Sequence, residues 1–486
     1  MTESIQHIAM NKARLAGADY ADVRIVDLLK ESILVKNGRV ESAHRSQSSG
    51  FGVRVLLRGA WGFSSSNRMS AADAVRVTEE AVAIAHASQK AQRKRIELSP
   101  AESAKDFWAT PVKIDPFTVS LEQKLALLDQ AVSLLKSVQG VNLAEGSMNF
   151  WKRKQLFANT EGSLIEQEII HSGAGVSATS IRDGEIQVRS YPNSFRGQYR
   201  SGGYELVEEM GMVENAERIG SEAVALHSAR QCPSGVMTVI LDGSQLGLQI
   251  HESCGHPTEL DRVLGSEINF AGTSFLTTDK LGHFRYGSEL VNLVADATPA
   301  TSPGGLGTFA YDDEGIPARR VYLVRDGIFS DYLSSRETAR EIGSRSTGAM
   351  RAMSWSTIPL VRMTNVNLLP GDSSLDEMIA ATDEGLFMST NRSWSIDDKR
   401  LHFQFGTEIG WLIKNGKVVE MVKNPTYSGT TPSFWGSCTA IAGPKEWTIW
   451  GTPNCGKGQP QQIISTGHGA SPARFDNVSV GVAYGR

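Results

Sequence analysis

Four cysteines in 486 residues (Cys232, Cys254, Cys438 and Cys455) are too sparse for a disulfide framework and fit a reducing compartment. No stretch approaches the ~18 uninterrupted apolar residues of a membrane-spanning helix, and the N-terminus lacks the apolar core of a signal peptide. A cytoplasmic protein without membrane contact is expected. Basic charge is not concentrated. Net charge is −4, and the densest cluster, Lys90, Arg93, Lys94 and Arg95, suits a solvated linker better than a nucleic-acid face. Direct nucleic-acid binding is therefore not expected. P-loop, dinucleotide fingerprint and G-x-S-x-G elbow are all missing. Glycine, by contrast, is abundant at 47 residues, above the ~7% average, which favours a turn-rich, strand-rich body. With 40% hydrophobic and 21% charged residues the chain has ample core, and its length suggests about two to four domains.

The pattern along the chain predicts an α+β fold. Residues 1–90 read as an N-terminal domain: a helix through Leu15, a strand at Asp22–Val26, a hairpin at Asn37-Gly38, a second at Arg58-Gly59, and a helix opened by Ser70 and Asp73. That helix carries Ala74, Val75, Thr78, Ala81, Val82 and Ala85 at i+3/i+4 spacing. Residues 91–115 are polar and proline-containing, a linker. Residues 116–230 form a second α+β unit. It opens with the capping box Ser120/Gln123 and the stripe Leu121, Leu125, Leu128, Val132 and Leu135, turns at Thr160-Glu161-Gly162, and closes with a helix from about Tyr204 to His227. Residues 231–486 form a mostly β domain. Val236–Leu241 is a buried strand ending at Asp242-Gly243, and a helix runs from about Ser244 onward. Hairpin signals stand at Asp326-Gly327 and Asn415-Gly416, and a short helix at Asp376 to Gly385.

The helix after Ser244 carries His251-Glu252-Ser253-Cys254-Gly255-His256, the most chemically loaded stretch of the chain. Two imidazoles can ligate zinc, a third protein ligand would leave one position for water, and a carboxylate beside the first His can take that water's proton. With ten His in the chain, accidental occurrence of this motif is expected ~0.01 times. The zincin spacing is H-E-x-x-H; here one residue is inserted. On a regular helix, positions i and i+5 lie about 140° apart, so a bend or bulge between the two His is required.

Two cysteines compete for the third position. Cys254 follows His251 by three residues, about 60° away on a helix, and local geometry favours it. Cys455 sits in the loop Asn454-Cys-Gly-Lys-Gly-Gln459, able to approach from across the fold, with Lys457 near enough to hold a thiolate. Glu259 and Asp261 are placed to accept a His N–H from outside the ligand shell. Asp312, Asp313 and Glu314 before Gly315 describe a solvated turn, or alternatively a hard-metal site. Arg362 and Asn365 either orient peptide backbone or cap strands.

These motifs, in this order, resemble the TldD/PmbA family, the "modulator of DNA gyrase" metallopeptidases. The likeness runs almost end to end: Ala18-Asp-Tyr-Ala-Asp-Val-Arg24, Gly50-Phe-Gly-Val-Arg54, His251-Glu-Ser-Cys-Gly-His256, Asp312-Asp-Glu-Gly315, Arg362-Met-Thr-Asn365 and Cys455-Gly-Lys-Gly-Gln459. The chain is similar to the active TldD type, which bears H-E-x-x-x-H, rather than to the TldE/PmbA type, which lacks it. The resemblance implies zinc (Zn2+) held by His251, His256 and Cys455, with Glu252 as the catalytic carboxylate. It also implies a dimer enclosing a cavity, either a homodimer or a heterodimer with an inactive TldE/PmbA-type paralogue.

The function expected is a zinc-dependent peptidase acting on unstructured peptides or unfolded protein segments, with Glu252 as general base and acid. Substrate could bind as an added β-strand, read mostly through its backbone. The alternatives are a regulatory or binding protein whose zinc is structural, and a metal hydrolase of non-peptide amides. A glutamate beside the ligands argues against a purely structural zinc, which needs no proton carrier.

Overall fold

The computed structural model describes residues 4–299 and 304–482. The fold is α+β, as expected, and strand-rich throughout. The N-terminal half is built on one large sheet. Its strands are β1 (Tyr20–Lys36), β2 (Arg39–Leu57), β3 (Ala60–Ser66), β4 (Lys105–Ala109), β5 (Val141–Asn159), β6 (Leu164–Arg182), β7 (Glu185–Tyr191) and β8 (Gln198–Ser201). The order is β3-β2-β1-β5-β6-β4, with β7 and β8 also pairing with β6. The β1/β2 turn has Asn37 at φ 50° and Gly38 at φ 73°, the left-handed pair a two-residue hairpin needs.

The two hairpin-and-helix units are thus joined edge to edge, because β1 pairs antiparallel with β5 from Asp22↔Asn159 to Lys36↔Glu145. The stretch expected as linker contains β4, which runs parallel to β6. Period-2 alternation decides what each face meets. Ala21 and Val23 pack under helices α1 (Ile5–Leu15) and α2 (Ala71–Gln89). Asp22 and Arg24, on the opposite face, are buried toward the C-terminal half.

Helix α3 (Leu121–Ser137) opens with the predicted capping box. It buries Leu128, Val132 and Leu135, whereas Leu121 is left exposed. Each such leucine or valine contributes roughly 1.5–3 kcal/mol. The helix expected over Tyr204–His227 is two helices, α4 (Glu205–Glu208) and α5 (Met212–Ala225). Gly211 at φ 65° separates them, since a left-handed residue ends the α-helical ladder. The short helix placed at Asp376 to Gly385 ends earlier, at Ala380, and by Glu384 the chain is already a strand.

In the C-terminal half five strands close into a ring: Gly235–Leu241, Glu384–Ile396, His402–Lys414, Pro425–Thr430 and Ala473–Val482. The first and second of these pair parallel and the remaining contacts are antiparallel. Helix α6 (Gly243–Ile250) leaves the end of Gly235–Leu241 and is buried along its whole length. It leans on the hairpin Thr448–Lys457/Gln462–Ala470. Leu246, Ile250, Cys254, Cys455 and Ala470 all belong to the largest apolar cluster of the molecule. The site therefore rests on core, not on loops.

Candidate metal centre

Beyond Ile250 the α-helix does not continue. His251–Gly255 is a π turn, in which the His256 N–H donates to the His251 carbonyl, an i→i+5 bond. The wider turn accommodates the extra residue of the motif and returns position i+5 to the face of position i. The two imidazoles consequently lie 4.8 Å apart between ring centroids, at 85°. Such a turn leaves carbonyls without their usual helical partners, and side chains take them up. Tyr286 Oη donates to Ser253 O at 2.6 Å, and Thr258 Oγ1 donates to Cys254 O and Gly255 O at 3.1 and 2.8 Å. Gly255 is required by close approach: a Cβ there would fall 1.9 Å from Met363 Sδ.

Cys455 comes from the facing hairpin, its Sγ 3.6 Å from His256 Nε2. One potential ligand atom each from His251, His256 and Cys455 lies within 4.8 Å of the others. Among the described residues no other group of three His, Cys, Asp or Glu side chains comes together this way. The donor set suits zinc, a borderline-soft cation bound by imidazole and thiolate. Cys254, favoured by regular-helix spacing, is turned out of the cluster, because the π turn changes the rotation per residue. Its Sγ lies 3.1 Å from Tyr286 Oη, and burial pushes its thiol up to about 12.

The protonation states favour metal ligation. Burial would raise the Cys455 thiol, but the Arg362 guanidinium and His256 outweigh it and hold the thiol below its ordinary value. Arg362 also donates from Nη1 to Gln462 O (3.1 Å) and from Nη2 to Cys455 O (2.5 Å), so it pins the hairpin around the thiol. Lys457, expected beside the thiolate, instead donates to Asp261 Oδ1 and Val361 O, both at 2.7 Å, and pairs with Glu259 at 3.4 Å. Burial lowers His251 to about 4 and also lowers His256, leaving both rings neutral near pH 7.

The tautomers follow from the acceptors. A carboxylate can only accept here, so His256 Nδ1–H donates to Glu259 Oε2 at 2.9 Å and leaves Nε2 bare. Burial alone would raise the Glu259 carboxyl, yet Lys457, His256 and Arg262 hold it well below the usual range. On the other side His468 Nδ1–H must donate to the Val366 carbonyl at 3.1 Å. Its Nε2 then accepts from His251 Nδ1–H at 2.8 Å, and His251 also presents a bare Nε2. Outer partners of this kind fix ring orientation in metal sites.

Glu252 is buried beside the cluster but is not part of it. Its Oε2 accepts from Arg400 Nη1 at 2.7 Å. Arg400 has a left-handed backbone (φ 62°), and its carbonyl accepts from Thr431 Oγ1 at 2.9 Å. Neither His468 nor Arg400 was found by sequence reasoning. His468 carried one signal, a histidine between two glycines; Arg400, in a charged turn, carried none.

The acidic motif is a turn, as expected, but a buried rather than a solvated one. Asp312 accepts the N–H groups of Glu314, Ile316 and Met350, and burial together with Glu314 raises its carboxyl to about 8. Asp313 bonds Gln155 and the Ala352 N–H, and Glu314 meets Arg54, so the motif clasps the C-terminal half to the N-terminal sheet. Asn365 braces backbone at Gly307 and Asp296. All four cysteines are free thiols.

Fold and site together are those of a metallopeptidase class. Family descriptions match three consecutive regions: PmbA/TldA metallopeptidase domain 1 over residues 21–85, the central domain over 114–230, and the C-terminal domain over 234–482. A metalloprotease of Methanocaldococcus jannaschii is 32% identical over 85% of this chain and 87% of its own. A zinc metalloprotease TldD homolog of Saccharolobus solfataricus is 24% identical over 87% of this chain and 89% of its own. The crystal structure of TldE from Thermococcus kodakarensis superposes with a TM-score of 0.75 at 15% identity, covering 98% of this chain and all 100% of that one. The chain belongs to the PmbA/TldD metallopeptidase family.

Proposed function

We propose that this chain is an active, TldD-type zinc peptidase that hydrolyses unfolded peptide segments. The observation that carries the reading is the π turn at His251–Gly255, which gathers His251, His256 and Cys455 while keeping Glu252 adjacent. A purely structural zinc would have no use for that carboxylate. His251 Nε2, His256 Nε2 and Cys455 Sγ would hold the ion. Zinc supplies Lewis-acid activation of water and of the scissile carbonyl. Glu252 Oε1, left free while Arg400 holds Oε2, accepts the proton of the attacking water and passes it to the leaving amine. Glu259 and His468 keep the imidazoles in the ligating tautomer, and Arg362 keeps the thiol ionisable. No helix among the described residues is long and apolar enough to cross a membrane. We place the protein in the cytoplasm, which its four free thiols support.

The substrate class rests on a chamber. The shared fold with TldE supports assembly with a paralogue of that kind, or with a second copy, around the metal site. A chain enters such a chamber only after giving up its own structure. Ordering an unfolded peptide costs ~1–2 kcal/mol per residue, but no native packing has to be broken. Hence a destabilised mutant of a small domain should be cleaved while its stable parent, at equal concentration, survives. Equal cleavage of both, with the parent still folded, contradicts the chamber.

A second prediction concerns His468. His468→Leu removes the acceptor for His251 Nδ1–H, and zinc affinity should fall roughly 10–100-fold, as for other outer partners of metal ligands. His468→Gln can present an amide oxygen in place of Nε2 and should stay within a few-fold of wild type. Competition against a chromophoric chelator measures both. Equal affinity in all three proteins would mean that Thr466, whose Oγ1 is 3.4 Å from His251 Nδ1, already does the work.

A further inference from the structure

Between the N-terminal sheet and the hairpin that bears Cys455 lies a cavity of about 170 Å3. One wall is a face of three adjacent strands. Lys30 of β1 is the register partner of Trp151 of β5, and Trp151 that of His171 of β6. Side chains of paired residues share a face, so the three stand in a row. Arg153 lies one step along the same face. The opposite wall includes Arg351 and Ile464, and Ile464 is the cross-strand partner of Cys455. The cavity therefore adjoins the proposed metal site across one strand pair.

Its charge is one-sided. Among the described residues Lys30, Arg153 and Arg351 line it beside His171, and no aspartate or glutamate does. Arg351 donates from Nη1 to Met363 O (2.9 Å) and Ser465 O (2.7 Å), but forms no ion pair among the described residues. Burial, with Arg362 and Arg153 nearby, lowers its pKa to about 9 although Asp313 acts the other way. Lys30 is exposed and likewise makes no ion pair among the described residues. His171 Nε2 is buried without a hydrogen-bond partner among the described residues, and burial plus the two arginines push that ring to about 3, so it is neutral. Arg153 is partly balanced by Asp313 at 3.6 Å, which lies off this wall. An arginine with no direct ion pair and an unmet ring nitrogen, gathered at one cavity with a second arginine and a lysine, favour an anionic occupant.

We infer that this cavity is a carboxylate subsite, which receives the C-terminal carboxylate or an acidic side chain of a peptide lying toward Cys455. The inference rests on the peptidase reading for its choice of peptide, and it deepens that reading by naming a substrate feature. The volume is below the ~300 Å3 at which small-molecule pockets begin, so it holds one terminal group or side chain and not a whole peptide. Trp151 and Ile464 supply apolar wall for the carbon atoms beside the carboxylate.

The test is equilibrium binding by calorimetry to the zinc-loaded Glu252→Ala protein, in which slow turnover leaves the peptide intact. The probes are a pentapeptide with neutral side chains as free acid, the same peptide as C-terminal amide, and amides carrying a single Glu or its Gln counterpart. Free acid at least tenfold tighter than amide would support a C-terminal anchor. Glu at least tenfold tighter than Gln would support a side-chain anchor. In either case Lys30→Met, an exposed change compatible with folding, and Arg351→Met should each narrow the difference. Affinities within twofold across both pairs, or no binding of any peptide, would overturn the inference. Because binding is read without cleavage, a protein that binds with this preference but never cleaves would refute the peptidase reading and leave the subsite standing.

Discussion

Replacing Glu252 by Ala should leave the fold and the zinc in place and lower turnover at least ~10²-fold, the low end of what general acid–base groups supply. Among the described residues the side chain makes one hydrogen bond, to Arg400 Nη1, so its removal disturbs little packing. Nor is it among the three side chains whose ligand atoms converge, so zinc affinity should not change. Glu252→Gln sharpens the result. Its amide oxygen can still accept from Arg400, preserving the contact, but the amide cannot take a proton. Turnover should therefore fall as far as in the alanine variant. Hydrolysis at the wild-type rate in either protein would contradict the assignment of the proton carrier. Loss of zinc along with activity would make Glu252 a ligand.

Sequence reasoning recovered those features whose cause is local. Asn37-Gly38 and Ser120/Gln123 specify their turn and cap within a few residues, and the structure has them there. The spacing of His251 and His256 required a distorted helix, and a π turn stands at that point. What escaped was set by residues distant in sequence. The joining of β1 to β5 makes one sheet of two units, and nothing in either strand announces its partner. Cys254 and Cys455 could not be separated by spacing, because the answer depends on a turn that also directs Cys254 toward Tyr286. His468 lies 217 residues from the ring it orients. The acidic stretch Asp312–Glu314 looked solvated because its arginine partners, Arg24, Arg54 and Arg153, come from the other half of the chain.

The second large effect concerns the thiol. Cys455 is held below its ordinary pKa, chiefly by Arg362, despite burial, which eases its ionisation toward a metal. A serine there offers a hydroxyl that stays protonated near pH 7 and is a harder donor. Zinc affinity of Cys455→Ser should fall by at least ~10²-fold, beyond the ~10–100-fold that outer partners cost, and activity should fall with it. Cys254→Ser removes a thiol that burial keeps protonated, pushed up to about 12, and that faces the core. Its zinc content should match wild type.

Zinc stoichiometry of three purified proteins, wild type, Cys455→Ser and Cys254→Ser, measured after the same dialysis, decides the central claim. One zinc per chain in wild type and Cys254→Ser, with little or none in Cys455→Ser, is the predicted result. Full zinc in Cys455→Ser together with loss in Cys254→Ser would contradict it.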